Sequence, residues 1–467
     1  MKKYMLPATA EVTLSEKIRY AVGAIGFPYA VIMFSGLIMY YFTDVLGISA
    51  AAAGTLLLIA RIWDGINDPM MGVIVDKTHS RWGKARPYIF VGGLLMAVFT
   101  YLLFTNPGIE SEGGKLAWAY FTYIGFGMTY TMFVMSLKVF SSRLTKDRNG
   151  ITTLSSCSFI GTSVISIFAG VSLMPFITKF SGAEGDMAKG YSCTALVAAG
   201  ILIFGTLVLT SIKERDFYAL EEGKAKKSYN FATAVKAIFT NKPFLGFCLA
   251  SAIIYIGYYL SASTVMYYCI YNLGNADYYS FFTVVDYATP IVAALTIPYL
   301  VKRFGKRSVL LIAFIGVAAA YGLRYITGDQ NVVIMVILAT VAGIALGFWN
   351  VLFTPMSLDC ALYSEYKTGL KMDAIFVTSF TLLTKIASGI GGAVLGFALD
   401  AYGYVENAAT QTETAMNCLR FCCTAAVTLC AVGSLAVFLL MYKLKDSELE
   451  KMNAEVLARN EDAVSEA

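Results

Sequence analysis

The chain has 467 residues, 57% of them apolar and only 14% charged, with a formal net charge of +5 and a mean hydropathy of +0.65. Soluble domains carry roughly a quarter charged residues, so this composition excludes a soluble globular protein and indicates an integral membrane protein. Nine cysteines, an odd number without paired spacing, argue against a disulfide framework or a zinc site, and the single histidine, His79, reads as a solvated loop side chain.

No cleavable leader is expected. The first apolar run begins near residue 17, behind Glu11, Glu16, Lys17 and Arg19, and is too long for a signal peptide's apolar region. Taking about 20 apolar residues per crossing, twelve spans are predicted. The first six lie at about 17–44, 50–75, 86–105, 115–141, 150–178 and 192–212. The second six lie at about 241–271, 277–300, 308–326, 331–362, 374–402 and 415–443. The connections alternate in charge. DKTHSRWGKARP, SSRLTKDRNG, VKRFGKR and SEYKTGLK are basic, whereas TDVLGIS, NPGIESEGG, NLGNAD and TGDQN are poor in cations. By the positive-inside rule both termini are cytoplasmic.

The longest basic connection divides the chain into an N-terminal six-helix bundle (1–212), a cytoplasmic middle loop (213–240), a C-terminal six-helix bundle (241–443) and a tail (444–467). The halves echo one another, because GVIVDKTHSRWGK after span two and PYLVKRFGKRS after span eight are both basic turns containing glycine. The tail has helical spacing at Leu449, Met452, Val456 and Leu457 and is expected to be a short solvated helix.

The sequence offers no phosphate loop, no dinucleotide-binding glycine motif and no nucleophile elbow, so an enzyme or ATP-driven pump is not expected, nor any cofactor. What stands out is charge inside the spans: Asp64 and Asp68 in span two, Lys138 in span four, Asp286 in span eight, Asp359 in span ten and Lys385 in span eleven. Ionisable residues at membrane depth are costly and mark pathways or paired charges. Asp64 and Asp68 share a helix face at i,i+4, with Asn67 and Arg61 on neighbouring positions. Such an oxygen-rich set suits a hard monovalent cation; a salt bridge from these acids to Lys385 is the alternative, and the two are compatible.

RIWDGINDPMMGVIVDKTHSRWGKARPYIFVGG resembles the signature of the glycoside-pentoside-hexuronide:cation symporters, the branch of the major facilitator superfamily that includes melibiose permease. YYFTDVLGIS, GMTYT, SEYKTG and FTLLTKIASGIGG extend the resemblance along the whole chain. It implies an all-α membrane protein, two six-helix bundles working by alternating access in the inner membrane, with Na+, Li+ or H+ as coupling ion. Asp64, Asn67, Asp68 and Thr131 match the family's cation site. Tyr130, Thr381 and Lys385 match positions at or beside the sugar, and Trp349 and Asn350 fall where span ten lines the cavity. Asp44 is expected to be structural or gating near the outer face.

The sequence departs from the galactoside-transporting pattern at Pro28 and Val134, which replace two sugar-binding aspartates, and at Lys138, which replaces a tryptophan. Losing two acids and gaining a cation favours negative charge, so a uronide is one expected substrate; Lys138 could instead pair with a span-two acid or reach the interface. Asp76, Arg81, Lys84 and Arg86, with Lys77, are expected to form a cytoplasmic clamp between the bundles, and Asp359 a charge network at the same end. The expected partners are a sugar or sugar acid and the lipid bilayer, with no nucleic acid and no obligate protein. The rival readings are an uncoupled facilitator or exchanger and a non-transporting membrane sensor.

Overall fold

The computed structural model describes residues 5–7, 11–78, 80–145, 148–183, 185–215, 231–327, 331–369, 372–406, 408 and 410–465. Among these the chain is helical, and its one β feature is an isolated bridge between Leu6 and Arg215. Ten segments are long and apolar enough to cross a membrane. One of them, Tyr278–Thr327, carries spans eight and nine, broken at Gly305, whose φ of 79° no helix tolerates. Ala50–Lys77, span two, is as long as its neighbours; Arg61, Asp64 and Asp68 in its middle make it less apolar than they are. With it the described residues hold all twelve expected spans.

In chain order the others are span one (Leu14–Val45), three (Arg86–Leu103), four (Glu112–Leu144), five (Arg148–Ser181) and six (Met187–Thr210), then seven (Lys242–Asn272), ten (Val332–Thr368), eleven (Asp373–Ala401) and twelve (Glu413–Met441). Four single turns are widened to π geometry, among them Tyr41–Val45 in span one and Tyr268–Asn272 in span seven. Such bulges re-aim side chains and are frequent at functional sites.

Two compact units emerge. The first comprises Met1–Lys226, Val265–Val284 and Gly392–Ala415, and the second Lys227–Thr264, Val285–Gly391 and Met416–Ala467. In the first unit, backbones meet closely at Gly54 and Gly396, where a Cβ on either residue would press on the other's Cα. Nearby, Asp44, 7% exposed, collects hydroxyls: Thr43 donates to its Oδ2 at 2.6 Å, while Tyr404 and Tyr271 donate to its Oδ1 at 2.7 and 3.1 Å. Tyr404 follows span eleven. Burial, with the Asp44 carboxylate alongside, pushes its hydroxyl well above the ordinary phenol range, so it stays protonated and remains a donor.

The second unit is held by an aromatic core in which Phe247 stacks on Phe380 (5.1 Å) and Phe244 meets Phe376 edge-on (4.6 Å), with Trp349, Phe438 and Tyr442 in the same buried cluster. The tail departs from the expectation of a solvated helix. Asp446–Ser465 is helical, but Leu449 belongs to that buried cluster and Val456 is 7% exposed. Of the apolar stripe that the spacing revealed, Leu449 and Val456 are covered by the unit's own surface, and the side chain of Leu457 lies outside the described residues.

The echo between the halves has a physical basis at the ends bearing the basic turns. Glu214, just past span six and fully buried, accepts the backbone N–H groups of Lys84, Ala85 and Arg86 at 2.8–2.9 Å. These are orphan donors at the start of span three. Its carboxylate lies 3.6 Å from the buried Arg143. Gly83, at φ 114°, is required there, because a Cβ would collide with the Glu214 carboxyl group. In the second unit Asp446, just past span twelve, accepts the N–H of Lys306 at 3.1 Å, and a Cβ on Gly305 would strike it. Each half thus closes the basic turn after its second span with an acid placed after its last span. Because Glu214 neutralises Arg143 and satisfies three amides, Glu214→Ala is expected to destabilise the fold by about 3 kcal/mol or more. Thermal unfolding in detergent checks this, and an unchanged midpoint contradicts it.

Candidate functional site

Asp64, Asn67 and Asp68 occupy successive turns of span two, against span four. Arg61 Nη1 donates to Asp64 Oδ2 at 3.3 Å, and its guanidinium lies over the Phe34 ring, 5.3 Å from the centroid. Tyr123, buried on span four, hydrogen-bonds Arg61 from the other side. Asp64 is 6% exposed and its Oδ1 fits against Gly127, where a Cβ would lie 2.9 Å away. One turn further along span four, Thr131 Oγ1 donates to Asp68 Oδ1 at 2.8 Å.

Asn67 is 8% exposed, and its Nδ2 has no hydrogen-bond partner among the described residues. Buried amides normally find partners. This one, whose nitrogen and oxygen interchange by a half-turn of the side chain, sits one residue from Asp68. Two carboxylates, an amide and a hydroxyl therefore converge from two helices, the donor chemistry a hard cation prefers. Direct pairing of Arg61 with Asp64 and the roles of Tyr123 and Gly127 escaped sequence reasoning. The four-residue spacing of Gly127 and Thr131 in GFGMTYT was the available signal.

The remaining candidates fall in the two units separately. In the first, Tyr130 is half-buried and stacks on Phe126 (6.3 Å, 7°). Val134, half-buried, and Lys138, exposed, follow it at four-residue steps on one face of span four, while Pro28 is buried at the start of the short helix Pro28–Ile32. In the second, Trp349 is 2% exposed, with the Tyr255 ring edge-on at 3.9 Å. Asn350 is exposed and accepts the Tyr255 hydroxyl at 3.2 Å. Lys385 is half-buried on span eleven, and the side chain of Thr381 lies outside the described residues.

Of the expected clamp, the side chains of Asp76 and Lys77, and all of His79, lie outside the described residues. Arg81 is exposed and Lys84 half-buried. Arg86 Nε donates to the Thr210 carbonyl at 3.1 Å, tying the turn to span six of its own half. In the second unit Asp359 pairs with Lys306, Oδ2 to Nζ 2.6 Å. Glu214, Asp446, and the buried pair of Arg215 with Glu16 (2.8 Å) were missed, although an acid directly after the last span of each half was visible in TSIKER and KLKDSE.

Residues 19–446 match the family described as MFS/sugar transport protein. The chain belongs to this family. Members of the MFS/sugar transport family similar to it include the isoprimeverose transporter of Lactiplantibacillus pentosus, 33% identical over 440 residues, which cover 93% of this chain and 89% of that protein. The glucuronide carrier protein homolog of Escherichia coli (strain K12) is 25% identical, with 94% of each chain covered. Among solved structures, a mutant of the nucleoside transporter NupG superposes with a TM-score of 0.67 over 92% of this chain and all of its own, at 14% identity, a likeness of fold. The protein is therefore a multi-pass membrane transporter of the all-α major facilitator fold.

Because Gly127 leaves room for Asp64, Gly127→Ala is expected to raise at least tenfold the concentration of coupling cation needed for half-maximal stimulation of sugar uptake. Gly113→Ala, with open space around its Cβ position, should leave it unchanged. Cation titrations of uptake in vesicles check both, and equal responses contradict the assignment.

Proposed function

We propose that this protein is a symporter that couples entry of a sugar or sugar derivative to a cation, Na+, Li+ or H+, by alternating access. The observation that carries this reading is that Asp64 and Asp68 of span two meet span four at Gly127 and Thr131, with Asn67 between them on the same helix. Two acids one turn apart repel when both are ionised and unliganded. Arg61 pairs with Asp64. Asp68 accepts the Thr131 hydroxyl, and binding of a cation or a proton at the pair relieves the repulsion and fixes span two against span four.

Coupling follows from linkage: an ion that improves sugar affinity by some factor has its own affinity improved by the same factor. Tyr130 and Val134 on span four, and Trp349, Asn350, Thr381 and Lys385 in the second unit, are the proposed sugar-facing positions. Asp44, with its three hydroxyl donors, is the proposed outer latch, and Arg81, Lys84, Arg86 and Asp359 the inner one, with both termini on the inner side.

The isoprimeverose and glucuronide relatives support a glycoside as substrate. Lys138 favours a second reading, an acidic glycoside, because it is exposed on the same face of span four as Tyr130 and Val134 and a carboxylate would meet it there.

Uptake of neutral and acidic sugars into vesicles, with and without sodium and proton gradients, tests the proposal. Accumulation should require a cation gradient, and Asp68→Ala should abolish cation stimulation while the protein stays folded. Uptake indifferent to every gradient would establish a facilitator instead. If the substrate is acidic, Lys138→Ala should cut its uptake at least tenfold; unaffected uptake refutes the acidic reading.

A further inference from the structure

The intramembrane acid that the cation site leaves unused is Asp286, on span eight. It is exposed and stands at a small cavity within the second unit, lined also by Tyr255, Tyr258, Leu346, Trp349 and Asn350. Among the described residues its carboxylate accepts no hydrogen bond and has no cation within ion-pair distance. Arg324, buried on span nine, interacts with it electrostatically without direct contact, and Tyr258 and Tyr321 lie within the same field. A carboxylate serving only to neutralise Arg324 would be expected to touch it. This one opens into the cavity.

The opposite wall holds complementary groups. Trp349 is 2% exposed, and its indole Nε1–H has no acceptor among the described residues, although an indole N–H so buried usually finds one. Asn350 has its Oδ1 occupied by the Tyr255 hydroxyl at 3.2 Å, which leaves its Nδ2–H groups as donors. The cavity therefore presents one charged acceptor, amide and indole donors, and the aromatic surfaces of Tyr255, Tyr258 and Trp349. Hydroxyls of a sugar can donate to the carboxylate and accept from the amide and indole, while the apolar C–H face of the ring packs on the aromatics. A charge-assisted hydrogen bond is about twice as strong as a neutral one, so the acid would dominate the polar recognition. It would also repel a carboxylate or sulfonate on the part of the ligand it faces.

We infer that Asp286 is a substrate-binding residue, the hydroxyl acceptor through which the second unit recognises the uncharged ring of a sugar. This rests on the sugar-symporter reading. Nothing in the sequence assigned the residue more than its depth in span eight, because its partners Tyr255, Trp349 and Asn350 come from spans seven and ten.

The test uses the full chain in proteoliposomes, with isoprimeverose and a methyl glucuronide as probes, and the variants Asp286→Asn and Asp286→Glu. On whichever probe the wild-type protein accumulates, Asp286→Asn should raise KM at least tenfold with kcat within about threefold of wild type. Cation binding measured without sugar should be unchanged, and Asp286→Glu, which keeps the charge, should recover part of the affinity. The ratio of glucuronide to isoprimeverose uptake should rise in Asp286→Asn, because the repulsion is gone. A KM within twofold of wild type, with or without a lowered unfolding temperature, would leave Asp286 as the counter-charge of Arg324 and overturn the inference alone. Wild-type protein that takes up neither probe, nor any sugar of the wider panel, would overturn the symporter reading and this inference with it.

Discussion

The constraint on which the rest of this structure depends is the cost of placing carboxylates at membrane depth. Without partners, an acid within a span costs several kcal/mol, by about 2.5–3.5 on insertion scales, and span two carries two. The fold meets that cost asymmetrically. Asp64 receives Arg61, itself held over Phe34 and against Tyr123, and a notch at Gly127. Asp68 receives the neutral hydroxyl of Thr131. An ion pair thus holds one acid and a hydroxyl bonds the other, and a cation bound beside them would relieve their mutual repulsion. Span four is shaped by this demand, with a glycine where Asp64 must fit and a hydroxyl one turn later.

A second use of buried acids sets the frame around that site. Glu214 and Asp446 each follow the last span of a half and hold the amides of a basic turn opened by a positive-φ glycine, Gly83 or Gly305. Because the amides belong to the chain's own backbone, the turns are fixed within their own halves, and their basic side chains are carried on rigid supports. Asp359, paired with Lys306, extends the same network in the second unit. At Asp44 the logic is different. Hydroxyls of Thr43, Tyr271 and Tyr404 donate to its carboxylate. Hydrogen bonds of this kind can be exchanged for water at small net cost, as an outer latch would require.

Much of this was legible in the sequence, and the reasons differ from one element to the next. The spans follow from length and hydropathy, and even span two was recognisable, because its charges recur at helical spacing within an apolar run. The acids of the proposed cation site were visible for the same reason, since Asp64 and Asp68 are local to one helix. Arg61 was seen as a neighbour but not as a partner, because rotamer choice on a helix decides between neighbouring acids. Tyr123 and Gly127 lie at four-residue steps before Thr131 on span four, so their face was legible, but which side chains of span two they meet depends on how the two helices pack. The tail was misjudged as solvated. Its apolar stripe was read correctly, but four apolar residues in a charged helix do not say whether a surface waits to receive them. Asp286 shows the same limit, since a lone acid in a span reveals its depth and not what stands across the cavity from it.

In the proposed mechanism, cation and sugar share a coupling free energy centred on Asp64 and Asp68. Equilibrium titration of the purified protein tests it most directly: sugar affinity is measured with and without Na+ or Li+ and at two pH values, and ion affinity with and without sugar. One of these cations should tighten sugar binding by some factor, the sugar should tighten binding of that cation by the same factor, and both effects should vanish in Asp68→Ala. Sugar binding that is equally tight whatever cation is present, in a protein that still binds sugar, would contradict it.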